Sequence, residues 1–160
     1  MRIKDQTSDY ERILSELRNY VPGVKLEAGS TFHWSPQRQT IVFNTSAMYD
    51  DHGIWALLHE YGHATCVHTT FSGDSELLQI EVEAWHAAEK LAKKLEITID
   101  QDHIQDCLDT YRDWLHQRSK CPRCGIHTLQ IEERLYECFN CSHRWSVSEQ
   151  RFCRPYRKTK

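Results

Sequence analysis

Leu57-Leu58-His59-Glu60-Tyr61-Gly62-His63 is the stretch on which the reading of this 160-residue chain turns. Residues four apart lie one above the other on an α-helix, so His59 and His63 can present both imidazoles to one metal ion. Glu60 projects from a neighbouring position, toward the side where a water molecule would sit. Zinc in such a setting lowers the pKa of water toward about 7, and a carboxylate beside it can take the proton as the water attacks a carbonyl. Ile54, Leu57, Leu58 and Tyr61 give the same helix an apolar face, which places it against a core. His59 and His63 are therefore expected to ligate a catalytic zinc, with Glu60 as general base.

A hydrolytic zinc site needs a third protein ligand, and the next helical stretch, about residues 75–95, offers Glu81 and Glu83. At 100° per residue, Leu77, Ala84, Ala88, Leu91, Ala92 and Leu95 cluster on one face with Glu81 in its middle. A carboxylate centred on an apolar stripe is costly unless it is paired or bound to metal. Glu81 is the expected ligand. Glu83 points toward the side holding Lys90 and Lys94, and reads as a solvated residue or as a hydrogen-bond partner for a ligating histidine.

His59-Glu60-Tyr61-Gly62-His63 followed by Glu81-Val82-Glu83-Ala84 resembles the ImmA/IrrE-type metallopeptidases, a minimal group of gluzincins. The resemblance covers about residues 10–95. It implies a zincin-like fold, zinc as cofactor, Glu81 as the third ligand and peptide-bond hydrolysis, in the manner of a regulatory protease acting on a protein substrate. The chain departs from the family in reading Trp85-His86-Ala87-Ala88-Glu89-Lys90-Leu91-Ala92, without the proline that often closes this segment.

Around these motifs the pattern predicts an α+β domain over residues 1–118, with helices packed on a small antiparallel sheet. Helices are expected at 5–19, 51–67, 75–95 and 100–117, the third capped by Asp74 or Ser75 and the fourth burying Ile104, Leu108, Tyr111 and Leu115. Thr31-Phe32-His33-Trp34 and Thr40-Ile41-Val42-Phe43-Asn44, rich in β-branched and aromatic residues, flank a turn at residues 35–39 and read as a hairpin. An edge of that hairpin could pair with an extended peptide. Tyr49, His52 and His68 are candidates for stabilising an oxyanion. Cys66, one turn beyond His63, reads as a buried thiol.

Cys121-Pro122-Arg123-Cys124 and Cys138-Phe139-Asn140-Cys141 form a second metal motif. Each C-x-x-C gives two thiolates from one tight turn, and two of them complete a tetrahedral site. Residues 119–160 are thus expected to be a zinc ribbon and basic tail, with a structural zinc and a hairpin of Leu129-Gln130-Ile131 and Leu135-Tyr136-Glu137. Gly125 stands where the first knuckle needs positive φ.

Charge separates the two segments: residues 1–117 carry 10 Lys+Arg against 19 Asp+Glu, and residues 118–160 carry 10 against 4. Arg118, Lys120, Arg123, Arg144, Arg151, Arg154, Arg157, Lys158 and Lys160 could meet phosphates, and Trp145, Phe152 and Tyr156 could stack on bases. Nucleic acid is one expected partner for the ribbon, protein the other. No apolar run approaches the roughly 20 residues of a membrane span, and no basic-then-apolar leader opens the chain, so a cytoplasmic protein is expected. The expected activity is that of a zinc metalloendopeptidase. Three other readings stay open: a DNA-associated metalloprotease of SprT-like logic, whose family usually supplies a third histidine; a non-enzymatic zinc-binding transcriptional regulator or adaptor; and another metal-dependent hydrolase, of amides for example.

Overall fold

The structure, a computed structural model, describes residues 3–148 and 157–159. It is an α+β chain of four helices and two small sheets, and it falls into two compact units, 1–69 with 80–101 and 70–79 with 102–160.

In the first unit, α1 (Ile3–Tyr20) buries Ile13, Leu14 and Leu17, the spacing of one helix face. It stops at Val21-Pro22-Gly23, where Gly23 takes a φ of +87°. β1 (Lys25–Gly29), β2 (His33–Ser35) and β3 (Thr40–Asn44) follow, in the order β1-β3-β2. The expected hairpin forms between β2 and β3, but the sheet is mixed and not antiparallel throughout, because β1 runs parallel to β3. The reason lies in β3, whose Thr40, Ile41, Val42 and Phe43 are all buried. A strand covered in this way needs backbone partners on both sides. β3 inserts between two strands that are adjacent in sequence, and residues 30–32 span the two strand spacings, about 9.6 Å, that separate β1 from β2.

A single 3₁₀ turn at Thr45–Ala47 leads to Asp50, whose carboxylate accepts from the Gly53 N–H at 2.8 Å and caps α2 (Asp51–Thr65). α3 (Asp74–Lys94) begins in the second unit and continues in the first. Leu77, Glu81, Ala84, Ala88, Leu91, Ala92 and Leu95 are buried along it, the face drawn from sequence. Asp74 and Ser75 do not cap this helix. Both lie inside it: the Asp74 N–H donates to the Gln130 side chain at 2.7 Å, and the Glu76 carboxylate accepts from the backbone N–H and the hydroxyl of Ser72, just ahead of the helix, at 2.7 and 2.8 Å.

In the second unit, α4 (Gln101–Ser119) buries Ile104, Leu108, Trp114 and Arg118, while Tyr111 and Leu115 are only half-buried. β4 (Gln130–Glu132), β5 (Leu135–Glu137), β6 (Arg144–Val147) and β7 (Arg157–Thr159) make an antiparallel sheet in chain order. Its core is Cys121, Tyr136, Cys138, Trp145 and Val147, with the Tyr136 and Trp145 rings stacked at 5.4 Å. The expected boundary near Ser119 is not where the units divide, since most of α4 groups with the ribbon. Arg118 shows why: its carbonyl accepts from the Trp145 indole N–H at 3.1 Å. Its guanidinium lies over the Trp114 ring at 4.1 Å and faces Asp74 at 3.6 Å. No helix among the described residues is long and apolar enough to cross a membrane.

Candidate metal centre

The first site is assembled by one close approach of two helices. A Cβ built on Gly62 would lie 2.1 Å from the Ala84 carbonyl oxygen, so the backbones of α2 and α3 meet where only glycine fits. Ala84 is one turn beyond Glu81, and this contact carries Glu81 to the paired histidines. His59 Nε2 lies 3.0 Å from His63 Nε2 and 3.1 Å from Glu81 Oε2, and His63 Nε2 lies 3.6 Å from Glu81 Oε1. Tetrahedral zinc with ligand bonds of about 2.0–2.1 Å separates its ligand atoms by about 3.3 Å, a value these distances bracket.

Burial makes the same point. Glu81 is only 6% exposed, in the middle of an apolar helix face. Burial alone would push its pKa up, but the His59 hydrogen bond and the two neighbouring imidazoles hold it far below the ordinary carboxylate range. A buried carboxylate aimed between two imidazoles is a donor set for a divalent cation, and these three residues can hold one. The Trp85 ring packs on His59 with centroids 4.4 Å apart. Glu60 is half-buried beside the pair and engaged in no hydrogen bond or ion pair among the described residues, so its carboxylate is available as a base.

The three oxyanion candidates fare differently. Tyr49 is exposed and packs edge-on against Tyr10, and His52 is exposed and packs edge-on against Trp55. Only His68 reaches the site, where its Nδ1 lies 3.0 Å from His63 Nδ1 and its Nε2 lies 3.2 Å from Glu83 Oε2. Both ring nitrogens are occupied, so neither is free to meet an oxyanion. Cys66 is exposed and not buried, and its thiol lies 3.9 Å from the Glu83 carbonyl. The contact between His63 and His68 has no signature in the sequence, because helical spacing ends at Thr65.

The second site lies in the ribbon. The four sulfur atoms of Cys121, Cys124, Cys138 and Cys141 all lie within 4.8 Å of one another, with Cys121–Cys141 at 3.7 Å and Cys124–Cys138 at 3.4 Å. Zinc–sulfur bonds of about 2.3 Å set tetrahedral S–S edges of about 3.8 Å. Each knuckle closes on a positive-φ residue, Gly125 at +79° and Ser142 at +54°, whose N–H donates to the Cys121 or Cys138 carbonyl. The thiols divide sharply. The Ile126 backbone N–H and then Cys138 bring Cys124 down to about 6. The His143 N–H favours a Cys141 thiolate, but burial and the three neighbouring thiols push that group up to about 12. Four such groups ionise together only around a cation.

Of the groups proposed to meet nucleic acid, two are withdrawn by the fold. Arg118 is 2% exposed and paired with Asp74, and Trp145 is fully buried under Tyr136, so neither can reach a phosphate or a base. Arg144 is exposed but tied to Glu137 at 2.6 Å. Lys120 and Arg123 remain exposed. Phe152, Tyr156, Arg151, Arg154 and Lys160 lie outside the described residues, as do the side chains of Arg157 and Lys158. The ribbon instead exposes Leu129, Ile131 and Phe139, at 82%, 48% and 76%. No protein-family model, curated protein or solved structure matches this chain.

Proposed function

We propose that the chain is a zinc-dependent metallopeptidase of zincin-like layout, with His59, His63 and Glu81 holding the catalytic ion and Glu60 acting as general base. The observation that carries this reading is the buried Glu81 carboxylate lying within 3.1 and 3.6 Å of two imidazole nitrogens drawn from one helical turn. Zinc held there supplies Lewis-acid polarisation of the scissile carbonyl and of the attacking water. Glu60, with no hydrogen-bond or ion-pair partner among the described residues, accepts the proton of that water and returns it to the leaving amine. β2, at the edge of its sheet, offers backbone groups for an extended peptide. The carboxylate as third ligand favours the ImmA/IrrE-type arrangement over the SprT-like one, which usually supplies a third histidine.

The four cysteines hold a structural zinc under this reading, and a reducing compartment such as the cytoplasm suits a ribbon that depends on free thiols. Three exposed apolar side chains, set against two buried members of the nucleic-acid set, favour a protein as the ribbon's partner. The test is Glu60→Gln in the zinc-loaded chain, assayed on unfolded protein substrates. Hydrolysis should fall by at least about 100-fold while two zinc ions per chain are retained, since general-base catalysis contributes that much or more. Undiminished hydrolysis by the variant would refute the base assignment. Full biological function in a variant with no hydrolysis would favour a non-enzymatic regulator.

A further inference from the structure

We infer that His68, backed by Glu83, is a positioning residue that fixes the tautomer of His63 and so readies its Nε2 for the metal. The inference rests on the metal-centre reading above.

The chain reaches this arrangement by an unusual route. α2 ends at Thr65, and Val67 N–H then donates to the Ala64 carbonyl at 3.2 Å and His68 N–H to the His63 carbonyl at 3.0 Å. That closure is a Schellman turn, and it puts Val67 in the left-handed region at a φ of +55°. Glycine normally takes this position; for a β-branched residue it is a strained one. The turn folds His68 back over the last turn of α2, with its ring centroid 5.2 Å from that of His63. The Trp34 indole N–H of β2 donates to the His68 carbonyl at 2.9 Å. His68 is thereby held by α2, β2 and α3 together, although it lies outside every helix and strand.

Proton bookkeeping leaves one arrangement for neutral rings. An ionised Glu83 carboxylate only accepts, so His68 carries its proton on Nε2, 3.2 Å away. Its Nδ1 is then a bare acceptor. The nitrogen 3.0 Å from it, His63 Nδ1, must donate. With the proton of His63 on Nδ1, the lone pair of its Nε2 faces His59 and Glu81, as a metal ligand requires. His59 has no such support among the described residues, where its Nδ1 is buried without a hydrogen-bond partner. The two ligand histidines are therefore not equivalent.

The test uses the full chain with zinc in the ribbon and the histidine site stripped by a mild chelator. Nitrogen-15 correlation spectra report the tautomer of each imidazole directly. His63 should appear with its proton on Nδ1 in the wild-type chain, and should lose that preference in His68→Ala. Titration of zinc against a chromophoric chelator should give an affinity at the histidine site about 10- to 100-fold weaker in His68→Ala, with ribbon zinc unchanged. His68→Gln, which offers a carbonyl to the same N–H, should recover most of the loss. A wild-type His63 protonated on Nε2 overturns the inference without any variant, even where His68→Ala fails to fold. Unchanged affinity in a folded His68→Ala also overturns it. A wild-type chain that takes zinc only through its cysteines overturns the metal-centre reading instead, which the tautomer measurement keeps separate.

Discussion

Gly62→Ala is the smallest change that should take the proposed metal centre apart. The added methyl would lie 2.1, 2.8 and 3.0 Å from the carbonyl oxygen, carbonyl carbon and Cα of Ala84. All three are backbone atoms inside α3, so no rotamer change relieves the clash. A carbon approaches a carbonyl oxygen to about 3.3 Å, and the helices must therefore separate by about 1 Å. Glu81 sits three residues before Ala84 on the same helix and travels with it, whereas metal–ligand bonds tolerate only about 0.2 Å. Overpacking of this kind costs about 1–3 kcal/mol, and each kcal/mol lowers Tm by about 2–4 °C in a chain of this size. Zinc affinity at the histidine site should fall by more than the about 100-fold that loss of a supporting hydrogen bond produces. Chelator competition reads the affinity, with ribbon zinc as the internal control, and a melting curve of the chain stripped only at the histidine site reads the stability. A Gly62→Ala chain that melts with wild type and binds its second zinc equally well would refute the argument from helix approach.

Three further outcomes follow from particular side chains. Tyr61 is fully buried, its hydroxyl without a hydrogen-bond partner among the described residues, and burial, against the opposing charge of Arg18, pushes its pKa up to about 12. Tyr61→Phe should raise stability by about 1 kcal/mol, and a lower Tm would show that the hydroxyl has a partner. Val67→Gly should relieve left-handed strain at an exposed position and stabilise the fold by about 0.5 kcal/mol, after glycine's own entropic cost. Zinc affinity in that variant should stay within twofold of wild type, and a loss beyond about 1 kcal/mol in the melt would remove the strain argument. Cys121→Ser should cost one zinc per chain and the near-ultraviolet signal of the stacked Tyr136–Trp145 pair, while the histidine-site zinc persists. Loss of both ions together would show that the two centres are not independent.

Local pattern wrote the helices, the candidate metal-binding residues and the four-cysteine cluster. His59 and His63 are four apart, and the knuckle cysteines are three apart. Glu81 interrupts an otherwise apolar stripe, so periodicity alone marks each of them. Apolar periodicity likewise marks the helix faces that are buried, from Leu57 on α2 to Leu91 on α3. What the sequence could not give is whatever depends on one segment meeting another. The parallel pairing of β1 with β3 comes from the need to cover both edges of a buried strand, and the short link between β1 and β2 does not display it. Arg118 and Trp145 look like a basic residue and an aromatic free to meet a nucleic acid; the fold buries them against Asp74 and Tyr136. His68 lies five residues beyond His63, off the helical repeat, and only the left-handed turn at Val67 brings its ring to that of His63. Spacing along a helix is fixed by covalent geometry and can be read from one dimension. Contacts across a turn or between elements depend on where the whole chain has packed, and only the tertiary structure decides them.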